Sequence, residues 1–125
     1  MNPMETERHI AERVTHDLEV GLASLGAVTR LTPKDAGGLD YAKIVVNLDG
    51  VQRQSTEIRE VIFAALGEAG IAIQDIGYPR GSGELETSFA GGWMMRDATH
   101  TSILNVTYIE GHPMQITVTK PMLKA

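Results

Sequence analysis

SILNVTYIEGHPMQITVTK, residues 102 to 120, is the stretch that decides the fold. Leu104, Val106 and Tyr108 occupy alternate positions. After the turn-forming EGHP the same period returns, with Met114, Ile116 and Val118 set against Gln115, Thr117 and Thr119. Successive side chains of a strand point to opposite faces, so each run reads as a strand with one apolar face. A connection this short leaves no room for a crossover, and the two runs are expected to form an antiparallel hairpin.

The same period continues upstream. Leu85, Thr87, Phe89, Trp93 and Met95 share one face of a longer strand, Glu84, Glu86, Ser88 and Arg96 the other, and Gly91-Gly92 reads as a bend. Ile71 to Tyr78 is a further strand, in which Asp75 suggests a bulge or an edge. The second half therefore reads as a meander.

Helical spacing marks the first half. Ile10, Val14, Leu18, Leu22 and Leu25 form one stripe of a helix expected from about Met4 to Leu25, with Gly26 as an end signal. A short strand is expected at Ala27–Thr32, then a loop through PKDAGGLDY. Ile44, Val46 and Leu48 alternate with Lys43, Val45 and Asn47 in a half-buried strand ended by Asp49-Gly50. Ser55 reads as the N-cap of a second helix, with Glu57 in its first turn and an apolar stripe from Ile58 to Ala69 that Gly70 stops. That helix is expected to cross over between parallel strands 43–48 and 71–78. The expected fold class is α+β: a two-layer sandwich of a mostly antiparallel sheet with a C-terminal meander and two helices on one face, with residues 1–125 forming one domain. Lys120 to Ala125 reads as a short tail.

Composition narrows the function. The 125 residues carry a net charge of −5, and the eleven Lys and Arg residues are scattered, so there is no footprint for a phosphate backbone. One Trp, three Tyr and two Phe make a poor stacking platform for single strands. Nucleic acid is therefore not an expected partner. No apolar run approaches the ~18 residues needed to cross a bilayer, which excludes a membrane partner of that kind. The absence of cysteine removes thiolate chemistry and fits a reducing compartment, so the cytoplasm is expected.

Candidates for chemistry are few. The loop GYPRGSGE, residues 77–84, lacks the Lys-Ser/Thr pair of a phosphate loop and runs into a strand instead of a helix, so it reads as a hairpin connection. His9, Glu12 and His16 stand within two helical turns and could share an ion; the reading preferred here is a solvated face, opposite the apolar stripe, on which Glu12 and His16 form an i,i+4 pair. No metal site and no cofactor are expected. In the meander, the loops at 79–83 and 110–113 share one end, while the turn near Asp97 and His100 lies about 30 Å away, so His100 and His112 cannot cooperate. The first end gathers Asp49, Arg80, Ser82, Glu110 and His112, which would permit a Ser82, His112 and Asp49 or Glu110 triad. Ser82 has neither a strained elbow nor a nameable oxyanion donor, so no catalytic residue is assigned.

Two families are resembled. LGEAGIAIQDIGY, residues 66–78, resembles the helix end and second strand of ACT-type regulatory domains, which implies binding of a small ligand such as an amino acid at a subunit interface. The order of elements, with WMMRDATHTSILNVTYI as a late strand, is similar to that of phage tail-terminator and tail-completion proteins. That resemblance implies a ring-forming structural protein acting through protein contacts, and a virion setting. The leading expectation is a non-enzymatic interaction or assembly module whose partner is a protein, with self-association foremost. Its interface is expected at Val20, Phe63, Arg80, Glu110 and His112, although Phe63, off the helical stripe, reads more readily as rimming the core. The alternatives are the ligand-binding regulatory domain, an acidic inhibitor protein and a small hydrolase.

Overall fold

The computed structural model describes residues 9–33, 37–48, 55–67, 71–75, 89–109 and 111–123. In chain order the elements are α1 (Ile10–Leu22), β1 (Ala27–Leu31), β2 (Asp40–Asn47), α2 (Ser55–Ala65), β3 (Ala72–Asp75), β4 (Phe89–Arg96), β5 (His100–Tyr108), β6 (Met114–Thr119) and β7 (Met122–Leu123). They build a two-layer α+β sandwich. One seven-stranded sheet runs in the order β1-β2-β6-β5-β4-β3, with β7 paired to β5, and every pairing is antiparallel.

The expected meander is present as β3 to β6. Its β4–β5 ladder is unbroken from Phe89↔Tyr108 to Arg96↔Thr101, so Gly91-Gly92 causes no slip of register. Alternation settles which face is covered. Trp93, Met95, Leu104, Val106, Tyr108, Met114, Ile116, Val118, Ile44 and Val46 are all buried and join one apolar cluster with residues of both helices. From α1 come Ile10, Ala11, Val14, Leu18 and Leu22, from α2 Ile58 and Ile62, and from the turn that follows α2 Leu66. Both helices therefore lie on the same side. Burying side chains of this size contributes about 1.5–3 kcal/mol each, which is the main force holding the layers together.

The crossover through α2 does connect two strands of the same direction, but β2 and β3 stand three strands apart in the sheet. β6, β5 and β4 fill the space between them, a placement that local sequence does not encode.

Four helix boundaries differ from the sequence expectation. α1 begins at Ile10 with His9 as its N-cap, and ends at Leu22. A turn then carries Leu25 back into the core, with the Leu25 N–H donating to the Leu22 carbonyl. α2 ends at Ala65, before Gly67 and well short of Gly70, and its last turn tightens as the Gly67 N–H reaches the Ala64 carbonyl. Its expected N-cap, Ser55, is itself helical, the first residue of α2 among those described. The tail is not structureless either. Pro121 interrupts β6, after which Met122 and Leu123 resume pairing against Thr101 and His100. Across the interruption side chains replace the ladder: Ser102 Oγ donates to the Thr119 carbonyl, and the Ile103 N–H donates to Thr119 Oγ1, each at 2.8 Å.

Gly26 serves a purpose other than ending the helix. A Cβ there would overlap the Asn47 carbonyl oxygen, so the chain entering β1 can cross the end of β2 only without a side chain. Gly26→Ala is expected to cost about 2 kcal/mol, a fall in Tm of roughly 6–10 °C for a domain of this size. Gly67→Ala, where a Cβ meets nothing closer than 3.4 Å, is the control and should shift stability by less than about 0.5 kcal/mol. Equal melting temperatures for the two variants would contradict the close approach.

Candidate functional site

α1 is held to the sheet at its first turns by two charged clamps. On one flank Arg13 donates to Asp97 at 2.8 Å, reaching the turn between β4 and β5. Asp97 organises that turn, accepting from the backbone N–H groups of Thr99 at 2.9 Å and His100 at 2.8 Å. Burial works to raise the Asp97 pKa, but these N–H donors and the Arg13 guanidinium outweigh it and hold the carboxyl below its usual range.

On the other flank Glu12 meets β1 and β2. Arg30 of β1 approaches Glu12 through both terminal nitrogens, at 2.8 and 3.2 Å, and reaches Glu19 at 3.2 Å. Tyr41 of β2 donates its hydroxyl to the same Glu12 carboxylate and lies under the Arg30 guanidinium, 5.5 Å from the ring centre. Strict alternation would send Tyr41 to the opposite face, because the neighbouring Ala42 is buried beneath the helices. The β2–β6 register slips between Asp40 and Ala42, and this bulge turns Tyr41 and Ala42 to the same side. Burial, then the hydrogen bond to Glu12, raises the Tyr41 pKa; the Glu12 contact raises that of Arg30.

His9 closes the cluster. Its ring meets Tyr41 edge to face at 4.8 Å, and its Nδ1 accepts the Glu12 N–H at 3.1 Å as a helix cap. Glu12 thus works inward. The sequence reading placed it on a solvated face beside His16, whereas the structure engages its carboxylate with two strands and leaves His16 exposed. Among the described residues no group of three His, Asp or Glu side chains is arranged to hold a metal ion.

The residues proposed from sequence scatter differently. Val20 is 65% exposed on α1, beside an open trough of about 490 Å³ between the outer faces of the helices. Gly21 and Ala65 set the trough's depth, since a Cβ at Gly21 would overlap Ala65. Phe63 packs edge to face on Trp93 at 5.7 Å with Arg59 over its ring, and so rims the core. His112 is exposed in the β5–β6 turn, where Gly111 adopts φ +83°. His100, at the start of β5, and His112, beyond its end, stand at opposite ends of a nine-residue strand, as the meander requires. Asp49, Arg80, Ser82 and Glu110, with the 77–84 loop, lie outside the described residues.

Sequence reasoning missed the exposed apolar residues at one end of the sheet. Leu31 closes β1, Leu39 precedes β2, and Met122 and Leu123 form β7; their exposures are 45%, 78%, 46% and 79%. The antiparallel order brings all four to the end where β5 begins. The Lys120 N–H donates to the Leu39 carbonyl at 2.7 Å, tying two of these segments together. The sequence signal was present: three of the four follow or flank a proline or glycine break.

No protein-family model matches the chain, and no curated protein and no solved structure matches it either. Among the described residues no helix is long and apolar enough to cross a membrane.

The cluster makes one test available. Burial lowers the His9 pKa; the Glu12 carboxylate opposes this, and His100 adds to the lowering. A histidine whose folded pKa lies below its unfolded value, 6.5, contributes its stability above that value. The contribution is lost as pH falls through the folded value, because the unfolded chain binds more protons. Protonation also removes the Nδ1 acceptor that caps α1. Wild-type Tm should therefore drop between pH 7 and pH 5, and His9→Asn, which keeps a capping oxygen, should flatten that slope. Parallel slopes for the two proteins would contradict the assignment.

Proposed function

We propose that this chain is a non-enzymatic protein–protein interaction module that assembles with further copies of itself. The observation that carries the reading is the grouping of Leu31, Leu39, Met122 and Leu123 at one end of an open sheet, next to the β1 edge. Single exposed apolar residues are ordinary; four at one end of a small domain, beside an edge strand, are what an interface looks like before its partner arrives. Val20 adds a further outward apolar side chain on the helical layer.

The polar cluster supports a structural role over chemistry. Glu12, Arg30, Tyr41, Arg13 and Asp97 are each committed to joining α1 to the sheet, and His9 is committed to capping it. Assembly by protein contacts is also what the resemblance in element order to tail-terminator proteins would imply, with the cytoplasm or a virion as the setting.

The mass of the particle in solution tests this reading. Light scattering on the purified chain at high micromolar concentration is expected to give a multiple of 13.5 kDa. A single species at the mass of one chain across that concentration range would overturn it.

A further inference from the structure

The structure assigns a specific partner to the β1 edge, resting on the assembly reading above: we propose that two copies pair antiparallel through β1 about a two-fold axis at Thr29, joining two seven-stranded sheets into one.

Among the described strands β1 and β3 end the main path of the sheet, and the two-residue β7 is paired on one side only, to β5. An edge strand exposes a row of backbone donors and acceptors, and proteins that remain monomeric guard it with proline, a bulge, charge or extreme shortness. β1 has little such protection. Ala27–Leu31, AVTRL, contains no proline and no acidic residue in a chain of net charge −5. Its ladder with β2 is regular from Ala27↔Asn47 to Leu31↔Lys43, so no bulge twists it away. Its one charge, Arg30, is drawn to the helical side and neutralised by Glu12 and Glu19. At the other edge, β3 contributes four described residues, Ala72–Asp75.

Symmetry then fixes the register. A two-fold perpendicular to the sheet keeps the helices of both copies on one face and requires one residue of β1 to oppose itself. An axis at Arg30 would set two guanidiniums directly opposite each other, which is repulsive. An axis at Val28 would run the pairing into Gly26 and leave much of β1 overhanging. The axis at Thr29 uses the whole strand: Val28 opposes Arg30 of the second copy, and the exposed Leu31 covers Ala27 of the second copy. Thr29 lies on the uncovered face of the sheet, across from Val45, where it opposes only its own copy.

Charge exchange at position 29 tests the register. Thr29→Lys and Thr29→Glu place like charges across the axis, so each variant alone should dissociate with a constant raised about tenfold or more. An equimolar mixture of the two should recover the paired species as a heterodimer. Thr29→Cys, the sole thiol in the chain, should form a disulfide-linked dimer on mild oxidation, because directly opposed residues bring Cα atoms to about 4.5–5.5 Å. Circular dichroism of each variant confirms that it is folded. If the wild type assembles but Thr29→Lys keeps its mass and Thr29→Cys does not cross-link, the β1 pairing is wrong while the assembly reading stands. If the wild type is a single chain at high micromolar concentration, both fall.

Discussion

The contact between Glu12 and Arg30 governs more of this molecule than the energy of a half-exposed ion pair would suggest. Such pairs contribute on the order of 1 kcal/mol or less. The consequence lies in where the charge goes. Arg30 belongs to an edge strand, and a cation there normally faces water and repels a second strand. Glu12 and Glu19 reach down from α1 and take it up, so the edge is left with Ala27, Val28, Thr29 and Leu31 as its uncharged members. The same carboxylate holds Tyr41 under the helix, which couples the position of α1 to the bulge in β2.

The rest of the architecture follows from a one-sided burial. Four neighbouring strands present alternating apolar residues to two helices, and the helices together cover that face. The opposite face carries Lys43, Val45, Ile103, Asn105, Thr107, Gln115 and Thr117, a mixture that tolerates water without excluding protein. Among the described residues the sheet ends at β1 and β3, so it keeps backbone hydrogen-bonding capacity at its rim. Association through that rim would need no rearrangement of the core.

How far the sequence reveals this depends on the range of each signal. The β5–β6 hairpin, the β4 strand and the apolar stripes of both helices depend on periodicity within a few residues, and they were legible. The clamp was not. It requires that α1 lie near β1 and that one extra residue in β2 rotate Tyr41, and neither fact has a local signature; by helical spacing alone Glu12 belongs to a solvated face. The α2 end was misread because apolar spacing continues through Ala69, while the chain uses the earlier Gly67. β7 was hidden because Pro121 ends one strand only for two residues after it to rejoin the sheet on β5. Of the interface residues proposed from sequence, Val20 is exposed, whereas Phe63 is claimed by Trp93.

In the proposed assembly β1 is an edge that a second copy completes. Amide hydrogen exchange across residues 27–31, followed as protein concentration rises, reads this directly. Protection is predicted to increase with concentration in the β1 amides that point away from β2, while amides at the centre of the β5–β6 ladder stay equally slow throughout. Exchange in β1 that is the same at every concentration would contradict it.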